Sequence, residues 1–176
     1  MVFLSICLNT AAAESFLENA AGVAMHNIGE NETAGNQIEN TNWQTRAQEV
    51  LINALSLTGI KYKYGGKSPE TGFDCSGFVR YVFSQATNLT LPPTARAIAQ
   101  IGKTVKKQEL QPGDLVFFDT MKSAFSHVGI YMGDNKFIHA PSSGEAVRVE
   151  SMNNGYWASR FNGAQRLDRE IEKSAK

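Results

Sequence analysis

The apolar residues of this 176-residue chain change their period once, near residue 110, and that change limits the folds open to it. Upstream, Trp43, Ala47, Val50, Leu51, Ala54 and Leu55 recur at helical spacing, and Gly59 closes the run. Thr41-Asn42-Trp43-Gln44 supplies a Thr-x-x-Gln capping pattern in front of it. Phe78, Val79, Val82, Phe83 and Ala86 give the buried face of a second helix that starts at Cys75. Between the two, residues 60–74 read as an aromatic and glycine-rich loop. Pro92-Pro93-Thr94 marks a break before a short helix near 94–101. Downstream, Leu115–Phe118, Val128–Met132, Lys136–Ala140, Ala146–Val149 and Phe161–Arg166 are short β-prone runs divided by turn residues. Helices first and an antiparallel meander afterwards predict an α+β domain, with N-terminal helices packed on a central antiparallel β-sheet.

Charge divides the chain differently. All 17 basic residues fall in 41–176, whereas Glu14, Glu18, Glu30, Glu32 and Glu39 leave 14–40 acidic throughout. The expected organisation is a truncated signal peptide at 1–13, a flexible acidic leader at 14–40, the folded domain at 41–168 and a charged tail at 169–176. Residues 1–13 are a short apolar stretch ending in Ala11-Ala12-Ala13, which resembles the end of a secretory signal without its positive n-region. A packed or disordered N-terminus is the alternative. Leu4-Ser5-Ile6-Cys7 resembles a lipoprotein signal, but Ile6 is bulky for the position before a lipidated cysteine. No apolar segment is long enough to span a membrane. A mildly basic domain suits an acidic polymer such as peptidoglycan, or no partner at all. Nucleic acid is not indicated, because no Lys/Arg cluster with interleaved aromatics occurs.

Export would leave Cys75 as the only cysteine of the mature chain, unable to form an internal disulfide. It sits in Gly72-Phe73-Asp74-Cys75-Ser76-Gly77, where a helix N-terminus is expected. Unpaired N–H groups and the helix dipole favour a thiolate there. Asp74 suits the N-cap, but its charge opposes a neighbouring thiolate, so a positive group such as an imidazolium is needed. The plainer role is a small buried hydrophobe at the head of a core helix.

Two histidines bear on the choice. His26 falls in the leader and has no expected site role. His127 and His139 flank a hairpin around Gly133-Asp134-Asn135. A three-residue loop would pair Met132 with Lys136 and Gly129 with His139. The histidines would then be diagonal neighbours on one face, roughly 7–8 Å apart between backbones. A two-residue turn would send them to opposite faces. On one face they allow a Cys-His-His triad, with His127 taking the proton of Cys75 and His139 orienting His127. Ordinary core histidines are the alternative. So is a metal site of Cys75, His127 and His139, although the spacings fit no common zinc pattern.

These residues, with Tyr62-Lys63-Tyr64-Gly65-Gly66, Leu110–Phe118, His127-Val128-Gly129-Ile130-Tyr131 and Phe137-Ile138-His139-Ala140, resemble the NlpC family of cell-wall cysteine peptidases over about 44–167. The resemblance implies a papain-like α+β fold and hydrolysis of peptide stems or cross-links of bacterial peptidoglycan. It implies a catalytic Cys75, His127 and His139, with Tyr62, Asp74 and Ser76 binding substrate. The D-alanyl–diaminopimelate cross-link is the expected target, and the γ-D-glutamyl–diaminopimelate bond the alternative. A non-catalytic wall-binding protein on the same fold is a further alternative. The resemblance implies no metal or organic cofactor. A monomer working in the periplasm or cell envelope is expected, with outer-membrane association open to it, although the sequence itself does not specify the oligomeric state.

Overall fold

Helix α1 occupies 43–56 and buries Ala47, Val50 and Ala54, a stripe that Leu57 extends past its end. In this computed structural model residues 43–120 and 123–167 are described. The expected signal with Cys7, the leader with His26, the Thr41 cap and the tail lie outside them. Leu55, expected on the apolar face, is 45% exposed. It follows Ala54 by one residue, about 100° round the helix, while the buried stripe proceeds in steps of three and four.

Residues 60–74 are more ordered than a loop. Lys67–Ser68 (β1) and Gly72–Phe73 (β2) pair as a short antiparallel hairpin, and Tyr62 bridges to Phe73. Helix α2, Cys75–Thr87, follows directly and buries Phe78, Val79, Val82 and Phe83 as the periodicity predicts. Asn88 ends it in the left-handed conformation, its N–H donating to Ser84 O. Thr94 caps the short helix α3, Ala95–Ile98, by accepting from Ala97 N.

The sheet contains β3 (Lys103–Thr104), β4 (Leu115–Phe118), β5 (His127–Gly133), β6 (Lys136–His139), β7 (Arg148–Ser151) and β8 (Phe161–Arg166). Their order is β3-β8-β4-β5-β6-β7, every pair antiparallel. Strand β7 lies two residues beyond the expected Ala146–Val149. Strand β4 is buried on both faces, which explains its unbroken apolar run. Leu115 and Phe117 join the core under α1, α2 and α3. Val116 and Phe118 join a second core with Phe137, Met152 and Trp157 of helix α4 (Gly155–Ala158) and its approach. Helices therefore pack on an antiparallel sheet, as expected. Among the described residues no helix is long and apolar enough to cross a membrane.

The β5–β6 hairpin differs from the expectation in an instructive way. Asp134 (φ 50°) and Asn135 (φ 54°) form a two-residue turn with both residues left-handed. Alone, that turn would send the histidines to opposite faces. A register shift between Tyr131 and Gly133 inserts one extra residue and cancels the error. The pairs Ile130–Ile138 and Tyr131–Phe137 put Gly129 across from His139, as the longer loop would have done.

Candidate active site

Asp74 organises the start of α2. Its Oδ1 accepts from Gly77 N (2.6 Å) and Ser76 Oγ (3.0 Å), and its Oδ2 accepts from Gly65 N (3.1 Å). Asp74 N donates to Gly66 O at 3.0 Å, so the Tyr62–Gly66 segment is clipped to the head of the helix. The two backbones come so close that a Cβ on Gly77 would stand 2.0 Å from Gly66 O. Only glycine permits that approach.

The clip holds Tyr62 beside Cys75. Burial, then the charges of Cys75 and Asp74, hold the Tyr62 hydroxyl above its ordinary pKa. Cys75 is a free, half-buried thiol in the first turn, where N–H groups have no intrahelical acceptor. Burial and the Asp74 carboxylate push the thiol up to about 11. Backbone N–H groups of Val128, Ser76 and Cys75 itself pull the other way, which places the sulfur against the start of β5.

That start is His127, 4% exposed. Its Nε2 lies 2.7 Å from Nδ1 of His139, which is fully buried. Burial is the main reason both rings are held well below the usual histidine range, to about 3. These shifts favour a thiol and neutral imidazoles at neutral pH. Gly129 makes the pair possible: a Cβ there would stand 2.7 Å from Phe137 Cδ2 and 3.2 Å from His139 Cβ.

Cys75 and His127 line one cleft of about 880 Å³, open to solvent, with Tyr62, Asp74 and Ser76. The Ser76 hydroxyl is engaged with Asp74 and with Pro93 O (3.1 Å), which ties α2 to the Pro92-Pro93 segment. All six residues singled out in the sequence therefore assemble in one region, five on the cleft wall and His139 behind it. Two others were not foreseen. Trp157 packs against both rings, tilted to His127 and edge-on to His139, with centroids 5.4 Å and 4.9 Å away. Glu150 accepts from Trp157 Nε1 and lies 3.4 Å from His139 Nε2. The alternation of β7 puts Arg148 and Glu150 on one face, but nothing local says that this face meets the histidines. Among the described residues no group of three or more His, Cys, Asp or Glu is arranged to hold a metal ion.

Residues 59–166 match the sequence profile of the NlpC/P60 family. The chain is 43% identical over 132 residues to "Murein DD-endopeptidase MepS/Murein LD-carboxypeptidase" of Escherichia coli K12, covering 75% of this chain and 67% of that protein. It is 42% identical over 120 residues to "Gamma-DL-glutamyl hydrolase" of Bacillus subtilis 168, covering 68% of this chain but 29% of that one. Among solved structures, an NlpC/P60 family protein from Bacillus cereus ATCC 10987 superimposes with a TM-score of 0.64 at 31% identity, covering 68% of this chain and 39% of that one. Several of these relatives are thus much longer than the region they share with this chain.

Proposed function

Because this chain belongs to the NlpC/P60 family, we propose that it is a cysteine-type endopeptidase acting on the peptide part of bacterial peptidoglycan. The observation that carries this reading is the 2.7 Å contact between His127 and His139. It occupies Nε2 of His127 and leaves Nδ1 as the nitrogen available to Cys75. Cys75 Sγ attacks the carbonyl carbon of the scissile amide, and its proton passes to His127 Nδ1. The carbonyl π electrons become the oxyanion, for which the Cys75 N–H at the helix start and the Tyr62 hydroxyl are the natural donors. Collapse breaks the C–N bond, and the amine leaves with the proton from His127. Water, deprotonated by His127, then cleaves the thioester and restores the thiol. His139 orients His127 throughout, while Asp74 and Ser76 shape the adjoining wall.

The favoured bond is the D-alanyl–diaminopimelate cross-link, because the murein DD-endopeptidase relative is matched over two thirds of its own length. The similarity to a γ-DL-glutamyl hydrolase supports the γ-D-glutamyl–diaminopimelate bond as a second reading. The peptidase domain spans 41–168, after a signal at 1–13 and an acidic leader at 14–40. The protein is exported to the periplasm or cell envelope and acts as a monomer.

Digestion of defined muropeptides, with products weighed by mass spectrometry, tests the reaction and assigns the bond. A cross-linked dimer should fall to monomers, and Cys75→Ala should abolish this while leaving the fold intact. Cleavage retained in Cys75→Ala refutes the mechanism. A folded wild-type protein that binds muropeptides and cuts none of them identifies a wall-binding protein instead.

A further inference from the structure

The hydrogens along the histidine pair must be mutually consistent. For His127 to receive a proton on Nδ1, its own hydrogen must sit on Nε2 and be donated to Nδ1 of His139. His139 Nδ1 is then an acceptor, so the hydrogen of His139 must sit on its Nε2. That atom is buried and makes no hydrogen bond within ordinary geometry. A carboxylate oxygen, Glu150 Oε1, stands 3.4 Å from it. A closure of about 0.5 Å would bring the two to hydrogen-bond distance. Any other tautomer of His139 would oppose two donors at the His127 contact, or remove the acceptor that keeps Nδ1 of His127 free.

We propose that Glu150 is a positioning residue, whose carboxylate accepts from His139 Nε2 and thereby fixes the tautomers of both rings. Its charge also steadies the positive charge that the pair acquires when Cys75 gives up its proton. The inference rests on reading Cys75 and His127 as nucleophile and base.

Glu150 is itself held for this task. Arg148 donates to its Oε1 from Nε (2.7 Å) and Nη2 (2.6 Å), and Trp157 Nε1 donates to its Oε2. Arg148 also meets Glu145 at 2.7 Å through Nη1. The charged and titratable groups around the carboxylate are therefore Arg148 on β7, Glu145 before it, His139 on β6 and His127 on β5. Asp74, Cys75 and Tyr62 line the same cleft. Of these, Arg148 opposes protonation of His139, whereas Glu150 favours protonation of His127.

Long-range nitrogen–proton spectra of the imidazoles, recorded without substrate, test the proposal. The wild type should carry its hydrogen on Nε2 in both rings. Glu150→Gln keeps an acceptor oxygen, so the tautomers should persist, while loss of the charge should lower the pH at which the pair takes up a proton. Glu150→Leu should mix the tautomers and reduce muropeptide cleavage about tenfold or more, by analogy with metal-bound histidines that lose an orienting carboxylate. Arg148→Gln breaks the same ion pair from the other side and should leave the tautomers unchanged. Wild-type tautomers in Glu150→Leu, an unshifted titration in Glu150→Gln, or a hydrogen on Nδ1 of wild-type His139 would overturn the assignment. Glu150-dependent tautomers in a protein that cleaves no muropeptide would sink the proposed reaction and leave this positioning role standing.

Discussion

Asp74→Asn separates the two things this carboxylate does to Cys75. As an acceptor it anchors the helix that presents the thiol; as a charge it opposes the thiolate. Asparagine retains one oxygen for Gly77 N and so keeps the cap, but its amide nitrogen faces the Gly65 N–H, donor against donor. Gly65 is exposed, so water replaces that bond and the cost should be about 1 kcal/mol. Asp74→Ala also forfeits the cap, for about 2–3 kcal/mol in total. Each kcal/mol is worth roughly 3–5 °C in Tm for a domain of this size. The thiol should respond in the opposite sense. Removing a negative neighbour lowers its pKa from the raised value of about 11, and each unit means about tenfold more thiolate at a fixed pH below it. Iodoacetamide labelling, followed on the Cys75 peptide from pH 6 to 10, reads this directly. Wild-type labelling should still be climbing at pH 9, and the Asn curve should be displaced to lower pH despite the weaker fold. A wild-type plateau below pH 7, or an Asn curve that stays put or moves up, would refute the reasoning.

Three further outcomes follow from the packing. Gly77→Ala puts a methyl 2.0 Å from Gly66 O and should cost about 1–3 kcal/mol by urea denaturation, with loss of cleavage as the Tyr62 segment lifts; Gly155→Ala, which meets nothing within 4 Å, should be neutral. Asp114 is fully buried and accepts from Arg166 Nε and Nη2, both at 2.8 Å, and from Gln111 N at 2.7 Å; Asp114→Ala should cost about 3–5 kcal/mol, and a loss under 1 kcal/mol would contradict the pairing. His127 and His139 titrate near 3 when folded against about 6.5 when unfolded, so below pH 6.5 the unfolded chain binds protons that the folded one refuses. Stability should therefore decline as pH falls from 6.5 towards 3, by at most about 1.4 kcal/mol per pH unit for each ring, and a flat profile between pH 6.5 and 5 would count against buried neutral imidazoles.

What the sequence determined by itself was local. Helical spacing and Asp74 placed the start of α2 at Cys75, because capping and burial of one helix face act within a few residues. The β-prone runs placed β4, β5, β6 and β8, and the expected hairpin register, together with the family likeness, joined Cys75 to His127 and His139. Tertiary structure decided how these pieces meet. A two-residue turn at Asp134-Asn135 would have separated the histidines, and an added residue in the β5–β6 register brought them back to one face. In that register Gly129 leaves room for Phe137 and His139, where a Cβ would stand 2.7 Å from Phe137 Cδ2. Glu150 reaches His139 only because β7 lies alongside β6, a contact between residues 11 apart in sequence, which no local period encodes. Turn type and strand order are settled by the energy of the whole sheet, and for that reason the last members of the site were visible only once the sheet was formed.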